Sequence, residues 1–179
     1  GLMLKGAFGS VFAFSEMLTR ATPLIFTGLA AAIAFRARLW NIGLEGQLYA
    51  GALAAVVVGT GAVAGPPIHM VPLVLIAGAM AGARVMRGPT HRQVRVGADE
   101  VVTTLLLNFV VILFVQMMLE GVYKDPMGMG WPQSEPIVDE AAFTKLLPRM
   151  RIHTGLLMAL VAALVLHVVM ARTTFGFRV

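Results

Sequence analysis

One stretch of the sequence places polar side chains and glycines within an otherwise apolar region. It is residues 35–53, FRARLWNIGLEGQLYAGAL, and apolar runs flank it on both sides. Asn, Glu and Gln are costly in hydrocarbon, so such residues usually face a bundle interior or a water-filled path, where they can hydrogen-bond a solute. If the stretch is helical, Asn41 and Glu45 lie one turn apart on the same face. The alternative is that these side chains only join helices by hydrogen bonds.

A second polar row lies near residue 100. Its members are spaced by multiples of four: Glu100, Thr104, Asn108 and Gln116. Only Ile112 interrupts the row, and the rest of residues 99–119 is mostly Leu, Val, Ile and Phe. Residues four apart stay near one helix face, so this helix is expected to turn a polar face inward, either to contact helices or to line a path. The two segments together give six candidate solute-path residues: Asn41, Glu45, Gln47, Thr104, Asn108 and Gln116.

The composition identifies the class of protein that positions these residues. The chain is 58% hydrophobic and 13% charged, with a mean hydropathy of +0.83. Soluble domains average about 25% charged residues. Apolar stretches near 20 residues recur, which predicts an all-α, polytopic transmembrane helical bundle with about five spans, forming one domain over residues 1–179. The net charge of +5 is explained by arginines flanking spans rather than by nucleic-acid binding, and no cysteine is present for disulfides.

The apolar runs set the expected span boundaries. The predicted spans are residues 17–35, 39–64, 70–83, 99–119 and 155–171, with residues 1–16 as an interfacial segment. The second is long for one straight crossing, which predicts a tilt or a break near Gly43 or Gly46. The third, at 14 residues, gives about 21 Å of helix against a hydrocarbon core of about 30 Å.

The stretch after the third predicted span interrupts the apolar pattern. Residues 84–95, RVMRGPTHRQVR, carry four arginines and a Gly-Pro pair, and the apolar pattern returns near Val96. We interpret this stretch either as a basic loop or as a local reading-frame error. If the sequence is genuine, the third span must be short, re-entrant or buried by its neighbours.

Residues 120–154 form a long polar segment with four prolines, which excludes a spanning helix there. Within it, residues 139–147 predict a short amphipathic turn with Asp139 as its N-cap. Arginine-rich short loops mark the cytoplasmic side of a membrane. With alternating spans, this rule predicts that residues 120–154 are external and that the chain ends in the cytoplasm.

Two strings of the sequence resemble a known family. Residues 28–55, GLAAAIAFRARLWNIGLEGQLYAGALAA, and residues 97–110, GADEVVTTLLLNFV, are similar to blocks of ABC-importer permeases of the nucleoside and simple-sugar group. That group belongs to the wider ribose and branched-chain amino acid permease superfamily. This chain departs from the family pattern at Arg38, where a small residue is usual, and at Trp40, where Phe is usual.

The resemblance implies a transport subunit rather than an enzyme. It implies a path for a nucleoside or simple sugar, a homo- or heterodimer partner, cytoplasmic ATPase subunits, an external substrate-binding protein, and a multi-pass location in a bacterial-type cell (inner) membrane. It also implies that an N-terminal span and a C-terminal coupling loop lie outside these residues. The sequence shows no catalytic, metal-binding or ATP-binding motif, so no cofactor is expected. The alternatives are a secondary transporter or channel that uses Glu45 or Glu100, and a purely structural membrane subunit.

Overall fold

The computed structural model describes residues 2–63, 65–96, 100–148, 150–174 and 176. Six α-helices lie within them: α1 (Leu2–Phe8), α2 (Val11–Arg36), α3 (Leu44–Val57), α4 (Pro67–Val96), α5 (Glu100–Glu120) and α6 (Thr154–Arg172). The chain forms two compact units. The first unit, Gly1–Arg38 with Phe143–Val179, contains α1, α2 and α6, and the second unit, Leu39–Ala142, contains α3, α4 and α5. The predicted all-α fold is confirmed.

Four helices within the described residues are long and apolar enough to cross a membrane: α2, α5, α6 and the first part of α4. The spans predicted over residues 99–119 and 155–171 match α5 and α6 to within one residue at each end. The span predicted over residues 39–64 is much shorter in the structure. There α3 has 14 residues, about 21 Å of helix, and continues only as a π-helical turn over Val58–Ala62.

The prediction for the third span was wrong. Instead of ending at residue 83, α4 begins at Pro67 and continues as helix to Val96, through the stretch interpreted as a loop or a reading-frame error. Its spanning part is Pro67–Arg87, 21 residues with little burial within the chain. Arginine is a good helix former, and its long stem lets the charged head reach the membrane surface, so Arg84 and Arg87 can extend an apolar helix without ending it.

The start of the first predicted span also needs correction. The helix α2 begins at Val11, six residues before the predicted boundary, and Ser10 caps it by accepting a hydrogen bond from the Ala13 N–H at 3.0 Å. Glu16, at the end of the segment predicted to be interfacial, is paired, since it lies 3.1 Å from Arg20 and 3.4 Å from Arg151. Pairing reduces the cost of a carboxylate in an apolar helix, so the helix continues past it.

In the first unit, α2 packs against α6, and a histidine sets where α6 begins. The His153 Nδ1 atom accepts a hydrogen bond from the Gly155 N–H at 3.1 Å, and Phe143 stacks on the His153 ring with centroids 5.5 Å apart. This satisfies one of the N–H groups that a helix start leaves without a partner. The sequence analysis assigned no role to this histidine.

The amphipathic turn predicted to start at Asp139 is also wrong. A single 3₁₀ turn covers Asp139–Ala141, with Val138 rather than Asp139 at its N-cap, and Ala142 returns to extended backbone. The Val138 N–H donates to the Gly59 carbonyl oxygen at 2.8 Å. The conformation of this segment is therefore set by a contact with a distant residue and not by the helical spacing of its own apolar residues.

In the second unit, α3 packs against both α4 and α5. Glycines allow the backbones of α3 and α4 to meet, because a Cβ on Gly51 would lie 3.0 Å from the Gly78 carbonyl oxygen and a Cβ on Gly82 would lie 3.2 Å from that of Gln47. These pairs, Gly51 with Gly78 and Gln47 with Gly82, show that α4 runs antiparallel to α3. This close approach holds the segment with the polar residues against its neighbours.

Candidate functional site: the polar cluster at the start of α3

The chain enters α3 through a non-helical segment that contains Asn41. Because α3 begins at Leu44, with Gly43 at its N-cap, Asn41 precedes the helix and does not share a helical face with Glu45. The shared face was expected only if the stretch is helical, and at Asn41 it is not. Of the tilt or break predicted near Gly43 or Gly46, the structure has a break at Gly43. The buried Asn41 side chain accepts a hydrogen bond from the Gly43 N–H at 2.8 Å. Asparagine bonds in this way to the backbone two residues on, which stabilises a turn rather than a helix.

Two side chains of α5 satisfy further backbone groups at this entry. The Thr104 hydroxyl accepts from the Ile42 N–H at 3.2 Å, and the Asn108 Oδ1 atom accepts from the Gly46 N–H at 2.5 Å. The first N–H groups of a helix lack partners within it, and a side-chain oxygen usually comes from the cap residue itself. Here Asn108 does this from another helix, 62 positions along the chain.

The contact between α3 and α5 is close and dry. A Cβ on Gly43 would lie 3.0 Å from the Thr104 carbonyl oxygen, and a Cβ on Gly46 would lie 2.9 Å from the Asn108 Oδ1 atom. Asn41, Thr104 and Asn108 are all buried, and the space between them admits no water molecule. We call these three residues the polar cluster. Its hydrogen bonds are direct, so it fixes the start of α3 against α5.

Gln47 lies at the edge of the polar cluster and faces α4. Its Nε2 atom lies 3.1 Å from the sulfur of Met86, and Val85 and Leu107 complete the lining of the same cleft. A thioether is a weak acceptor, so this contact holds the amide less firmly than a carbonyl would. Gln47 as a whole is half-buried within the second unit.

The structure does not bring the other two candidate residues into the polar cluster. Glu45 lies in the first turn of α3 and Gln116 lies two turns beyond Asn108 on α5, and both side chains are exposed. A carboxylate in the first turn interacts favourably with the positive end of the helix dipole. The side chain of Glu100, which the sequence placed in the same row as Thr104, lies outside the described side chains. Four of the six predicted residues therefore meet, and two stand apart from them.

The chemistry of the polar cluster is hydrogen bonding without proton transfer, because none of its three side chains titrates near neutral pH. Both asparagines use their Oδ1 atoms as acceptors, and neither Nδ2 amide donates a hydrogen bond within the described residues. No group of His, Cys, Asp or Glu side chains able to hold a metal ion is found in the described part of the chain. The arrangement can orient helices and offer amide donors to an oxygen-rich molecule.

Comparison with known proteins agrees with this picture of a helical membrane segment. The chain is 35% identical over 189 residues to the glucose ABC transporter permease protein of Haloferax volcanii, covering 100% of this chain and 49% of the relative. It is 34% identical over 174 residues to the guanosine ABC transporter permease protein of Bacillus subtilis, covering 97% of this chain and 50% of the relative. The nucleoside ABC transporter permease protein of Lactococcus lactis is 29% identical over 180 residues, again with 97% and 50% covered.

The chain thus spans about half the length of the curated relatives that it matches. No solved structure matches it significantly. A family model, described as the permease component of the branched-chain amino acid transport system, matches residues 13–179. With several helices able to cross a bilayer, the chain is part of a multi-pass membrane protein, and it belongs to the family of branched-chain amino acid transport system permease components.

Proposed function

We propose that the chain is part of the transmembrane permease subunit of an ABC importer and helps to form the path for a nucleoside or simple sugar. One observation carries this proposal. Three relatives that match 97% or more of the chain are named as ABC transporter permease proteins, for glucose, guanosine and nucleosides. Such solutes carry several hydroxyl groups, which need fixed hydrogen-bonding partners during passage.

In this proposal the six candidate residues divide into two roles. The polar cluster of Asn41, Thr104 and Asn108 positions the start of α3, since its acceptors are engaged and no water fits between its members. The remaining three contact the solute, and they are Glu45, Gln47 and Gln116. Glu45 and Gln116 are exposed and Gln47 is half-buried. Polar groups on otherwise apolar helices are costly against lipid, which supports a polar surrounding for them in the assembled transporter.

The assembly that we propose follows from family membership. It comprises a second permease subunit, identical or related, two cytoplasmic ATPase subunits and an external substrate-binding protein, in a bacterial-type cell membrane. The segment after α5 is proposed to lie outside and to contact the substrate-binding protein. Its side chains support this role, because Met127, Met129 and Trp131 are 87%, 94% and 72% exposed. Large exposed apolar side chains that are grouped in one segment are typical of a protein contact.

Orientation is tested by single cysteines in this cysteine-free chain. Ser134→Cys, in the segment after α5, is expected to react with a membrane-impermeant thiol reagent in intact cells. Arg172→Cys, at the end of α6, serves as the control that is expected to react only after the cytoplasmic side is opened. Reaction of the first variant only after opening would reverse the proposed orientation.

Transport is tested with the full-length permease, its ATPase subunits and its binding protein in proteoliposomes. ATP-dependent uptake of labelled guanosine or glucose is the expected activity. Gln47→Leu removes the amide while keeping similar bulk, and it should lower uptake about tenfold or more, with assembly and basal ATP hydrolysis unchanged. Leu106→Met, at an exposed apolar position of α5, is the matched control and should transport normally. Uptake that follows a proton gradient and ignores ATP would favour a secondary transporter instead.

A further inference from the structure

An open groove runs along the second unit between α4 and α5, with α3 as its floor. It has a volume of 620 Å³, which falls within the range of about 300–1,000 Å³ typical of small-molecule sites. Alanine, leucine, valine, methionine and phenylalanine side chains make up nearly all of its lining. Two polar residues line it as well: Arg84 on α4, and Tyr123 just after the end of α5.

These two polar residues lie toward opposite ends of the groove. The pairs Ile42 with Thr104 and Gly46 with Asn108 show that α5 runs parallel to α3, whereas α4 runs antiparallel to it. Arg84 is therefore level with the start of α3, and Tyr123 is level with its end. Between them the groove presents an apolar wall along the second half of α3.

Arg84 has no charged partner in the part of the chain that the structure describes. The two ion pairs found there both use Glu16, in the first unit, and Arg84 and the neighbouring Arg87 make none. The sequence from Gly46 to Ala98 contains no acidic residue. Two exposed guanidinium groups, three positions apart on one helix, thus have no ion-pair partner among the described residues, and one of them, Arg84, lines the apolar groove. Such a charge requires water or an anion.

The depth of these arginines in a bilayer follows from the length of α4. Its spanning part, Pro67–Arg87, has 21 residues and is about 32 Å long, close to the hydrocarbon thickness of about 30 Å. With Pro67 at one boundary, Arg84 and Arg87 lie at the other, where lipid phosphates are found. The apolar groove extends from that level toward the membrane interior.

We propose that this groove is a binding site for an anionic glycerophospholipid, with an acyl chain along the apolar wall and the phosphate on the Arg84 guanidinium. Guanidinium groups bind phosphate through two parallel hydrogen bonds, and Arg87, one turn further, adds a second positive charge for an anionic headgroup. An apolar helix placed in the same groove would leave Arg84 without a counter-charge. The proposal does not rest on the proposed transport activity, because its test measures lipid crosslinking.

The test uses the full-length permease in nanodiscs of phosphatidylcholine that contain a phosphatidylglycerol analogue with a photoreactive acyl chain. Crosslinks are mapped by mass spectrometry and are expected on peptides of α4 and α5 that line the groove. Arg84→Ala should lower this crosslinking about five- to tenfold, and Arg84→Lys should retain more than half of it. Arg172→Ala, an exposed arginine at the end of α6, removes the same charge elsewhere and should leave groove crosslinking unchanged.

A second variant tests the groove itself. Ala81→Leu fills part of the volume and keeps Arg84, so it should displace the photoreactive chain and lower crosslinking severalfold in protein that melts at the wild-type temperature. Crosslinking that is absent in the wild-type protein would mean that another protein segment covers the groove, and it would overturn the proposal. An equal loss of crosslinking in Arg172→Ala would show that net charge, and not a specific site, attracts the lipid. An unchanged signal in Arg84→Ala would show that Arg84 does not bind the phosphate. Either result would overturn the proposal.

Discussion

At its first residues α3 is held by side chains of α5, whereas just beyond its last residues the chain is held by the segment after α5, through a backbone hydrogen bond and the Ile137 side chain, beside an open groove. The first end has Gly46 against Asn108 and Ile42 against Thr104, in a contact that excludes water. The second end is the π-helical turn Val58–Ala62, in which the Gly59 carbonyl accepts from the Val138 N–H at 2.8 Å. The two ends of this short helix are therefore held by different partners: α5 side chains hold the first end, and the segment after α5 packs on the buried Gly59 at the second.

The difference shows where this part of the chain can move. Closely packed hydrogen-bonded contacts allow few alternative arrangements, while a π-helical turn with Gly61 at a φ of 99° marks a local departure from regular helix. The groove beside the second end leaves room for neighbouring side chains to change rotamer. We expect conformational change within the second unit to occur at the π-helical turn and not at the polar cluster.

The largest effect is expected from enlarging the glycine of the closely packed end. In Gly46→Leu the added Cβ would lie 2.9 Å from the Asn108 Oδ1 atom and 3.2 Å from its Cα atom, so the backbones must separate. The unfolding free energy should fall by about 3 kcal/mol. Gly28→Leu, in α2 at an exposed position with no atom within 4 Å of the added Cβ, is the matched control and should not destabilise. Thermal unfolding in detergent measures both, and equal melting temperatures would contradict the close contact.

A smaller loss is expected when the cap from α5 is removed without adding bulk. Asn108→Leu leaves the Gly46 N–H without its acceptor, which should cost about 2 kcal/mol. Gln116→Leu, an exposed amide on the same helix, should change stability by less than about 0.5 kcal/mol.

The same two variants also separate the two proposed roles. Stability near wild type combined with lost uptake in Asn108→Leu would move this residue from positioning to solute contact.

At the other end a double-mutant cycle should measure the contact that holds the π-helical turn. A Cβ on Gly59 would lie 2.8 Å from the Cγ2 atom of Ile137, so Gly59→Ala should destabilise by about 1 kcal/mol. Adding Ile137→Ala removes the Cγ2 atom and leaves the Cβ atom at 3.2 Å, so the clash is relieved and the double variant should be more stable than the sum of the single effects by about 1 kcal/mol. If the changes in unfolding free energy are additive, the segment after α5 does not contact the π-helical turn.

The smallest effect is a gain in stability at the approach to α3. Arg38 has a φ of 58°, in the left-handed region that disfavours residues with a Cβ atom, and the resembled family usually has a small residue there. Arg38→Gly should therefore raise the unfolding free energy by about 1 kcal/mol. Arg36→Gly, in the last turn of α2, removes the same charge from regular helix together with a hydrogen bond to the Gly176 carbonyl oxygen, and it should lower the unfolding free energy by about 1 kcal/mol or more. A loss of stability in both variants would show that the Arg38 side chain outweighs its backbone strain.

The sequence by itself determined the membrane class and the positions of the regular spans. Transfer of a 20-residue apolar run into a bilayer depends on its own composition, so α5 and α6 could be located to within one residue. The family resemblance was also carried by contiguous residues and is confirmed by a match over residues 13–179. The same local reasoning was wrong for α4, because a count of arginines does not show whether their side chains can reach the membrane surface.

Only the tertiary structure decided what the polar residues do within the second unit. Spacing along one helix placed Thr104 and Asn108 on a common face, yet it could not show that they bond to the backbone of a segment 62 positions away. Likewise the Asn41 side chain bonds to the Gly43 N–H and stabilises a turn before α3. The helical spacing of residues along the sequence does not predict such a turn. Hydrogen bonds between distant segments depend on how closely the backbones approach, and here Gly43 and Gly46 permit an approach that becomes visible only when α3 and α5 are packed together.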